Sequence, residues 1–430
     1  MGKTLSVANI QTSLTREQKE AVGLLSIGTF LEYFDLMLYV HMAVLLDELF
    51  FPKTDPFTSS LLTAFAFCST YALRPLGALI FGYIGDKIGR KATIIITTFL
   101  MSISCTIMAV SPTYAEIGIT ASIIMILCRM AQGLSSMGEK VGAEIYLTET
   151  FKPPLQYFVV SAVPTASTIG TSFALLISTI MTSQGFNWRY AFGIGAVVAV
   201  IGFVARATLK ESPEFLNARN EYLKNTELDK KPNPKTILAL FLIHCAHPVW
   251  VYVIYMFAGD FLKKNFGFSA AEVIQRNFYI SLVGLFMCIF LTFLSYRVYP
   301  LRIMNIVFKI NFLGMIIFVF LFYNKNITLG IITAFQFFVA FCAPTSFPGT
   351  PIFLKYFPIL KRFTVVSLIY AFSRFFMYVI TSFGIVILVR YFGNLNGVMI
   401  IVVPMLIAYY WSLKYFEKLE KVDLNYHQKI

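Results

Sequence analysis

Twelve long apolar segments dominate the chain and leave little room for any other kind of fold. They cover residues 21–47, 58–84, 92–111, 115–139, 157–181, 190–208, 237–262, 277–296, 303–323, 327–350, 364–390 and 397–413. Bilayer hydrocarbon is about 30 Å thick, and about 20 helical residues cross it. A backbone in lipid must satisfy its own hydrogen bonds, and these runs show no strand-like alternation. The segments therefore predict an all-α polytopic membrane protein with twelve spans.

The composition agrees with lipid as the main solvent. Only 13% of the 430 residues are charged, against roughly 25% in a soluble domain. The longest polar stretch, 209–236, contains three prolines and divides the spans six and six. We therefore expect an N-terminal six-helix bundle over 1–208, a cytoplasmic linker over 209–236 and a C-terminal six-helix bundle over 237–430.

The basic residues indicate the orientation. With both termini and the 209–236 stretch in the cytoplasm, roughly two thirds of the lysines and arginines lie in cytoplasmic segments. The net charge of +13 is then a topology signal, and we expect no nucleic-acid partner. The polar first 20 residues lack the pattern of a cleaved signal peptide, so we expect them to be retained.

The sequence contains no clear pattern of a metal site or of an enzyme active site. The six cysteines stand singly in apolar runs, which predicts buried thiols rather than disulfides or a zinc site. Span seven carries His244, Cys245 and His247, but no acid at helical spacing completes a metal site. No phosphate-binding Gly-x-x-x-x-Gly-Lys-Ser/Thr loop is present. We expect no metal, no cofactor and no enzymatic activity.

The sharpest motif lies between spans two and three. It reads Gly82-Tyr-Ile-Gly-Asp86-Lys87-Ile-Gly89-Arg90-Lys91. Gly82 lacks a side chain, so another helix backbone can approach it closely. Asp86, one turn later at the membrane edge, could accept from Arg90 or face the positive N-terminus of a nearby helix. The basic residues of the motif add to the cytoplasmic charge.

This loop resembles the signature loop of the major facilitator superfamily. Other segments are similar to the metabolite:proton symporters, and the proline/betaine symporters are the most similar. These segments are Leu31-Glu32-Tyr33-Phe34-Asp35, Arg74-Pro75-Leu76-Gly77, Arg129-Met-Ala-Gln132-Gly133, Trp188-Arg189, Leu209-Lys-Glu211-Ser-Pro213-Glu214-Phe215 and Phe357-Pro358. The resemblance implies two six-helix bundles around a central cavity lined by spans one, four, seven and ten. It also implies proton-coupled uptake across a bacterial inner membrane by alternating access, with Gly82, Asp86 and Arg90 of the gating motif stabilising closure on the cytoplasmic side.

The chain departs from the family pattern in two places. The family repeats its signature loop between spans eight and nine, where this chain reads Ser295-Tyr296-Arg297-Val298-Tyr299-Pro300. Tyr296 stands where an acid is expected, which argues against a symmetric cytoplasmic gate. Osmosensing relatives can carry a C-terminal coiled coil, but Glu417-Lys-Leu-Glu420-Lys421 is too short for the required heptads. We expect no osmotic sensing by that device.

Acids inside the spans are the candidate proton sites. Glu32 and Asp35 share one face of span one, and Tyr39 returns to nearly the same face. Ionised acids are costly in lipid, so they should face a wet cavity or a basic partner. The resemblance makes Glu32, Asp35 and Glu139 the predicted proton-coupling residues. The alternative for Asp35 is a fixed structural partner.

Span four supplies the predicted substrate ligand, Arg129, with Gln132 on the same face. Arg129 could bind a substrate carboxylate bidentately. It could instead pair with Asp35 or Glu139, so that proton and substrate compete for one charge, or form a structural salt bridge. Arg374 in span eleven is the second basic candidate.

Aromatic residues are the remaining candidates for the substrate site. Tyr39, Trp250 and Tyr255 are assigned to it, and the last two could stack on a quaternary ammonium. Interfacial anchoring or core packing is the more common use of such rings. Lys140 and Glu144, four residues apart, could simply pair with each other.

The predicted function is secondary active transport. We expect a monomer that couples protons to uptake of a proline/betaine-like zwitterion or organic acid, with the lipid bilayer as its surroundings. One alternative is a di- or tricarboxylate:proton symporter, which a second basic residue in the cavity such as Arg374 would favour. Another is a non-transporting membrane sensor, suggested by the altered second loop.

Overall fold

The computed structural model describes residues 11, 13–50, 71–184, 187, 189–206, 211, 215–217, 220, 231–323, 327–392 and 395–420. Within these residues the elements are helices, and the one β-type contact is an isolated bridge between Gln11 and Pro154. Nine helices of the described part are long and apolar enough to cross a membrane. The predicted all-α architecture is confirmed.

The helices follow the order of the predicted spans, and we name them α1 to α12 accordingly. The first six are α1 (Arg16–Phe50), α2 (Arg74–Lys87), α3 (Arg90–Val110), α4 (Ile119–Ser136, a π-helical turn Met137–Val141, and Gly142–Thr150), α5 (Leu155–Gln184) and α6 (Arg189–Arg206). The others are α7 (Pro234–Val251, a π-helical turn Tyr252–Phe257, and Ala258–Phe266), α8 (Ala270–Arg297), α9 (Pro300–Tyr323), α10 (Leu329–Cys342 and, after a break, Thr350–Leu354), α11 (Ile359–Phe392) and α12 (Met399–Glu420). The short helix Tyr114–Ile117 precedes α4.

Local sequence determines where several helices begin. Asn233 precedes a proline, and its side-chain oxygen accepts the amide of Lys235 at 2.9 Å, so α7 starts with an N-cap. Ser269 and Glu272 form a capping box at the start of α8. Gly89 separates α2 from α3 with φ 145°, a conformation that glycine adopts without steric cost.

The two halves meet along two helix pairs, α2 with α11 and α5 with α8. The hydroxyls of Thr165 and Thr292 lie 2.8 Å apart between α5 and α8. The ring centroids of Tyr71, just before α2, and Tyr378 on α11 are 4.3 Å apart. The division at the 209–236 linker stays a prediction, because most of that stretch lies outside the described residues.

Large apolar side chains cover the outer surface. Phe286, Phe293 and Phe320 are among the most exposed, which is expected where helices face lipid rather than water. The predicted span 327–350 is not one continuous helix, because α10 ends at Cys342 and residues 343–349 run without helical structure before Thr350. The prolines at 344 and 348 account for this break, since each lacks an amide donor.

Candidate functional site

A cavity of about 210 Å³ lies between the two halves. Its wall includes residues of α1, α4, α7 and α10, as the resemblance implies, and also residues of α5, α8 and α11. The broken part of α10 contributes Thr345, Ser346 and Phe347. The π-helical turn of α7 contributes Tyr252 and Tyr255. Irregular backbone at membrane depth is tolerated where it lines a cavity, and both segments fit that rule.

Arg374 is the basic wall residue contributed by α11. It is 3% exposed, contacts Nδ1 of His247, and its guanidinium carbon lies 4.7 Å from the ring centroid of Tyr370. Its Nε has no hydrogen-bond partner among the described residues. Stacking on an aromatic face holds the guanidinium while leaving donors for a ligand.

Lys140 and Glu144 are the charged wall residues contributed by α4. Lys140 Nζ lies 5.4 Å from the ring centroids of both Tyr33 and Tyr370, whose hydroxyls are 3.2 Å apart. The sequence suggested that Lys140 and Glu144 pair with each other. No ion pair within 4.0 Å joins them or any other described residue to either one.

A second polar cluster is buried inside the N-terminal half. The Cys105 thiol donates to Asp35 Oδ2 at 2.7 Å, and Gln132 Nε2 donates to the same sulfur at 3.5 Å. Arg129 Nη1 donates to the Gln132 side-chain oxygen at 2.9 Å. A Cβ at Gly195 on α6 would overlap Asp35 Oδ1, so only glycine lets α6 pass this close. Asp35 and Arg129 thus belong to one cluster built by α1, α3 and α4.

The predicted substrate and proton residues divide between these two places. Tyr255 and Arg374 line the cavity. Asp35, Gln132 and Arg129 are buried in the second cluster and are not among the described wall residues. The cluster and the cavity lie on different sides of α1, because the wall residues Tyr33 and Met37 are each two positions from Asp35 on this helix.

Other predicted residues lie elsewhere. Glu32 is buried, and its charge interacts with that of Arg74. Trp250 is 2% exposed in the apolar core of the C-terminal half, which matches the packing alternative. The side chains of Tyr39 and Glu139 lie outside the described residues. Cys105 was expected only as a packing residue, and its bond to Asp35 crosses 70 positions, so no local pattern could reveal it.

The signature loop builds an ion-pair network at the end of the bundles that the charge bias assigns to the cytoplasm. Arg90 binds Glu149 bidentately, with N–O distances of 3.1 and 3.0 Å, and Arg362 of α11 donates to the same carboxylate at 3.0 Å. Arg90 also donates to the Ile359 carbonyl at 2.9 Å. The network therefore joins the two halves through buried, charge-assisted bonds.

Asp86 uses both partners that the sequence suggested. Its Oδ1 is 3.5 Å from Arg90 Nη1. Its two oxygens accept the backbone amides of Phe363 and Thr364, in the second turn of α11, at 3.1 and 2.8 Å. A Cβ at Gly82 would lie 2.7 Å from the Thr364 Cα, which confirms the expected close approach.

Of the remaining motif residues, Gly89 and Lys91 contact Glu211 of the linker, next to this network. Glu211 of the linker accepts the amides of Arg90 at 3.0 Å and Lys91 at 3.2 Å and so caps the start of α3. Gly89 provides the left-handed turn there, and its missing Cβ leaves room for the Glu211 carboxylate. Lys87 is exposed.

The corresponding loop of the second half is built differently. The Tyr299 hydroxyl donates to Glu420 at the end of α12 at 2.6 Å, and Tyr356 and Lys355 contact the same carboxylate. The Tyr299 ring stands edge-on to Tyr157 of the first half, with centroids 6.0 Å apart. An aromatic contact and a carboxylate from α12 thus occupy the place where the family has a charged loop.

Comparison with known proteins settles the family. The family model described as "Sugar (and other) transporter" matches residues 21–239. The chain belongs to this family. A solved structure of the major facilitator superfamily proton:xylose symporter XylE superposes with a TM-score of 0.76, covering 93% of this chain and 95% of that one. The sequences are 15% identical, so this likeness shows the fold alone.

Two curated relatives match at higher identity. The proline/betaine transporter of Salmonella typhimurium is 31% identical over 270 residues, which is 58% of this chain and 54% of the relative. The inner membrane metabolite transport protein YhjE of Escherichia coli is 36% identical over 220 residues, 49% of this chain and 50% of the relative. The chain thus spans about half the length of the curated relatives it matches.

These findings confirm several predictions. The chain is a multi-span membrane protein of a transporter family, with the major facilitator fold of two six-helix bundles. The resemblance to proline/betaine transporters is confirmed as well.

Proposed function

We propose that the protein is a proton-coupled symporter of a small zwitterion of the proline/betaine type. It acts as a monomer in a bacterial inner membrane, with both termini in the cytoplasm. The observation that carries the proposal is a cavity with charges of both signs on its wall, together with a buried cluster that contains Asp35 and Arg129 and shares α1 and α4 with the cavity. The names of the two curated relatives support the solute class and the membrane.

Arg374 is the proposed ligand of the substrate carboxylate. It lies on the cavity wall, whereas Arg129 is bonded to Gln132 within the first half. A guanidinium presents parallel N–H groups that match a carboxylate. The ring of Tyr255, which also lines the cavity, offers a face for a cationic ammonium group.

Asp35 is the proposed proton acceptor. Its carboxylate is fully buried, accepts the Cys105 thiol and interacts with the charge of Arg129. A buried ionisable group changes the energy of its surroundings when it gains or loses a proton. Because α1 carries Asp35 and also the wall residues Tyr33 and Met37, a proton on Asp35 can alter the cavity. Glu32 and Glu139 remain proposed participants.

Purified protein in liposomes tests the proposal. With an acidic exterior and a neutral lumen, labelled L-proline or glycine betaine should accumulate, and a protonophore should abolish the accumulation. Arg374→Gln should raise KM about 30-fold, because it removes a charge-assisted carboxylate contact worth about 2 kcal/mol. Folded protein that accumulates no solute of a broad panel would support a sensor and refute symport.

A dicarboxylate:proton symporter is the second candidate. Two cationic side chains, Lys140 and Arg374, line the cavity, and such a pair suits two carboxylates. Competition between labelled proline and unlabelled 2-oxoglutarate separates the candidates. Uptake of 2-oxoglutarate that proline does not inhibit would favour the dicarboxylate.

A further inference from the structure

Two spans leave regular α-helical geometry where they meet the cavity. The π-helical turn Met137–Val141 of α4 carries Lys140, and Glu144 follows it by one turn. The π-helical turn Tyr252–Phe257 of α7 carries Tyr252 and Tyr255. All four side chains line the cavity. Single π-helical turns are rare and occur frequently at functional sites.

No described residue bonds directly to the charged ends of Lys140 and Glu144, and Glu144 interacts with Lys140 and with Arg374 only at longer range. Within the described part of the chain, neither Lys140 Nζ nor the Glu144 carboxylate takes part in a hydrogen bond or an ion pair. The residues are only 8% and 7% exposed. The ring faces of Tyr33 and Tyr370 stabilise the ammonium by cation–π attraction. This attraction does not satisfy the N–H donors of the ammonium. Charges this deeply buried are costly unless something pairs with them, so a ligand in the cavity is the natural partner.

The signs of the wall charges restrict the ligand. Lys140 and Arg374 are cationic, and Glu144 is the one acid among the described wall residues. A molecule with one carboxylate and one ammonium can satisfy a base and the acid together. A dicarboxylate would bring a second negative charge towards Glu144, and like charges in a poorly solvated cavity repel.

We propose that Lys140 and Glu144 are the residues that select for a zwitterion, with Lys140 facing the substrate carboxylate beside Arg374 and Glu144 facing the ammonium. This inference rests on the proposed function and specifies its substrate class. It also replaces the idea that the two residues merely neutralise each other.

Three probes of similar shape isolate the two charges. Glycine betaine carries both, 3,3-dimethylbutanoate has carbon in place of the quaternary nitrogen and keeps only the carboxylate, and choline keeps only the ammonium. Counterflow in proteoliposomes gives a KM for each. The informative quantity is the ratio between the KM of a singly charged probe and that of glycine betaine, since a general loss of activity leaves the ratio unchanged.

Glu144→Gln should lower the preference for betaine over 3,3-dimethylbutanoate about 30-fold, because the ammonium loses its counter-charge while the carboxylate keeps both bases. Lys140→Gln should lower the preference for betaine over choline about 30-fold as well, because the carboxylate loses one of its two counter-charges. Glu116→Gln and Lys418→Gln are matched controls, since these exposed residues are absent from the described cavity wall and their neutralisation should leave both ratios unchanged.

A measurement on the wild-type protein does not depend on whether the variants fold. An amine-acylating reagent labels Lys140, and the labelling is quantified on the peptide. Glycine betaine and 3,3-dimethylbutanoate should protect Lys140, and choline should not. Unchanged KM ratios in both variants, or equal protection by choline, would overturn the assignment while uptake of betaine still stands. Wild-type protein that moves no zwitterion would overturn the proposed function itself, and this inference with it.

Discussion

Asp86 offers the sharpest test of how the two halves close. Asp86→Asn keeps the size of the side chain and one carbonyl oxygen but loses the charge. The carboxylate accepts two amides of α11, at 3.1 and 2.8 Å, beside Arg90. Hydrogen bonds to a charged group contribute roughly 1.5–3 kcal/mol each. Because about half of the interaction should survive, we expect the closed state to lose about 1.5–3 kcal/mol, which is about 10- to 150-fold in the equilibrium between closed and open forms.

Cys288, a native residue of the cavity wall, reports that equilibrium without an introduced cysteine. Its thiol is half-buried and faces the cavity from α8. In inside-out vesicles, a membrane-impermeant maleimide should alkylate Cys288 at least about tenfold faster in Asp86→Asn than in the wild type. The modification is read at the peptide, so the other cysteines do not interfere.

Lys87→Gln is the matched control, since Lys87 is the next residue of the same loop and is exposed. It should leave the alkylation rate unchanged. Equal rates in Asp86→Asn and the wild type would refute the reasoning, because they would mean that the Asp86–α11 contact contributes nothing to closure.

Two further perturbations test the contacts between the halves and around α12. Gly82→Ala should also speed alkylation of Cys288 from the cytoplasmic side, because the new Cβ would lie 2.7 Å from the Thr364 Cα. Gly23→Ala is the control and should leave the alkylation rate unchanged, since no atom lies within 4 Å of its Cβ position. Glu420→Gln should lower the free energy of unfolding in detergent by about 1–3 kcal/mol, since it removes the charged acceptor of Tyr299. Thermal unfolding measures this loss, and Lys418→Gln is the control that should unfold as the wild type does. An unchanged midpoint would show that α12 does not stabilise the altered second loop.

The features that sequence predicted well are local ones. Gly82 and Asp86 are four residues apart on α2, so one helical face brings them together wherever the helix packs, and Arg90 follows at the start of α3. The alternation of apolar and polar segments likewise follows from the needs of a backbone in lipid. The loss of the acid at Tyr296 correctly indicated an asymmetric pair of loops, although the contribution of Glu420, 121 positions from Tyr299, was not foreseeable.

The features that sequence missed depend on helix rotation and on distant partners. Arg129 was assigned to the substrate, but its bond to Gln132 and the position of Cys105 place it inside one half. Lys140 and Glu144 fit an ordinary helical pair by spacing, and the π-helical turn that carries Lys140 is not encoded by any simple pattern. A spacing of four residues on a helix therefore does not by itself show that two opposite charges form an ion pair.

The coupling of protons to transport is the central claim, and Asp35→Asn tests it most directly. Wild-type protein in liposomes with an acidic exterior should concentrate labelled glycine betaine. Asp35→Asn, which cannot exchange a proton, should lose this accumulation but still catalyse counterflow, and the exposed Asp260→Asn control should behave as the wild type. An Asp35→Asn protein that accumulates betaine against its gradient as the wild type does would contradict the account.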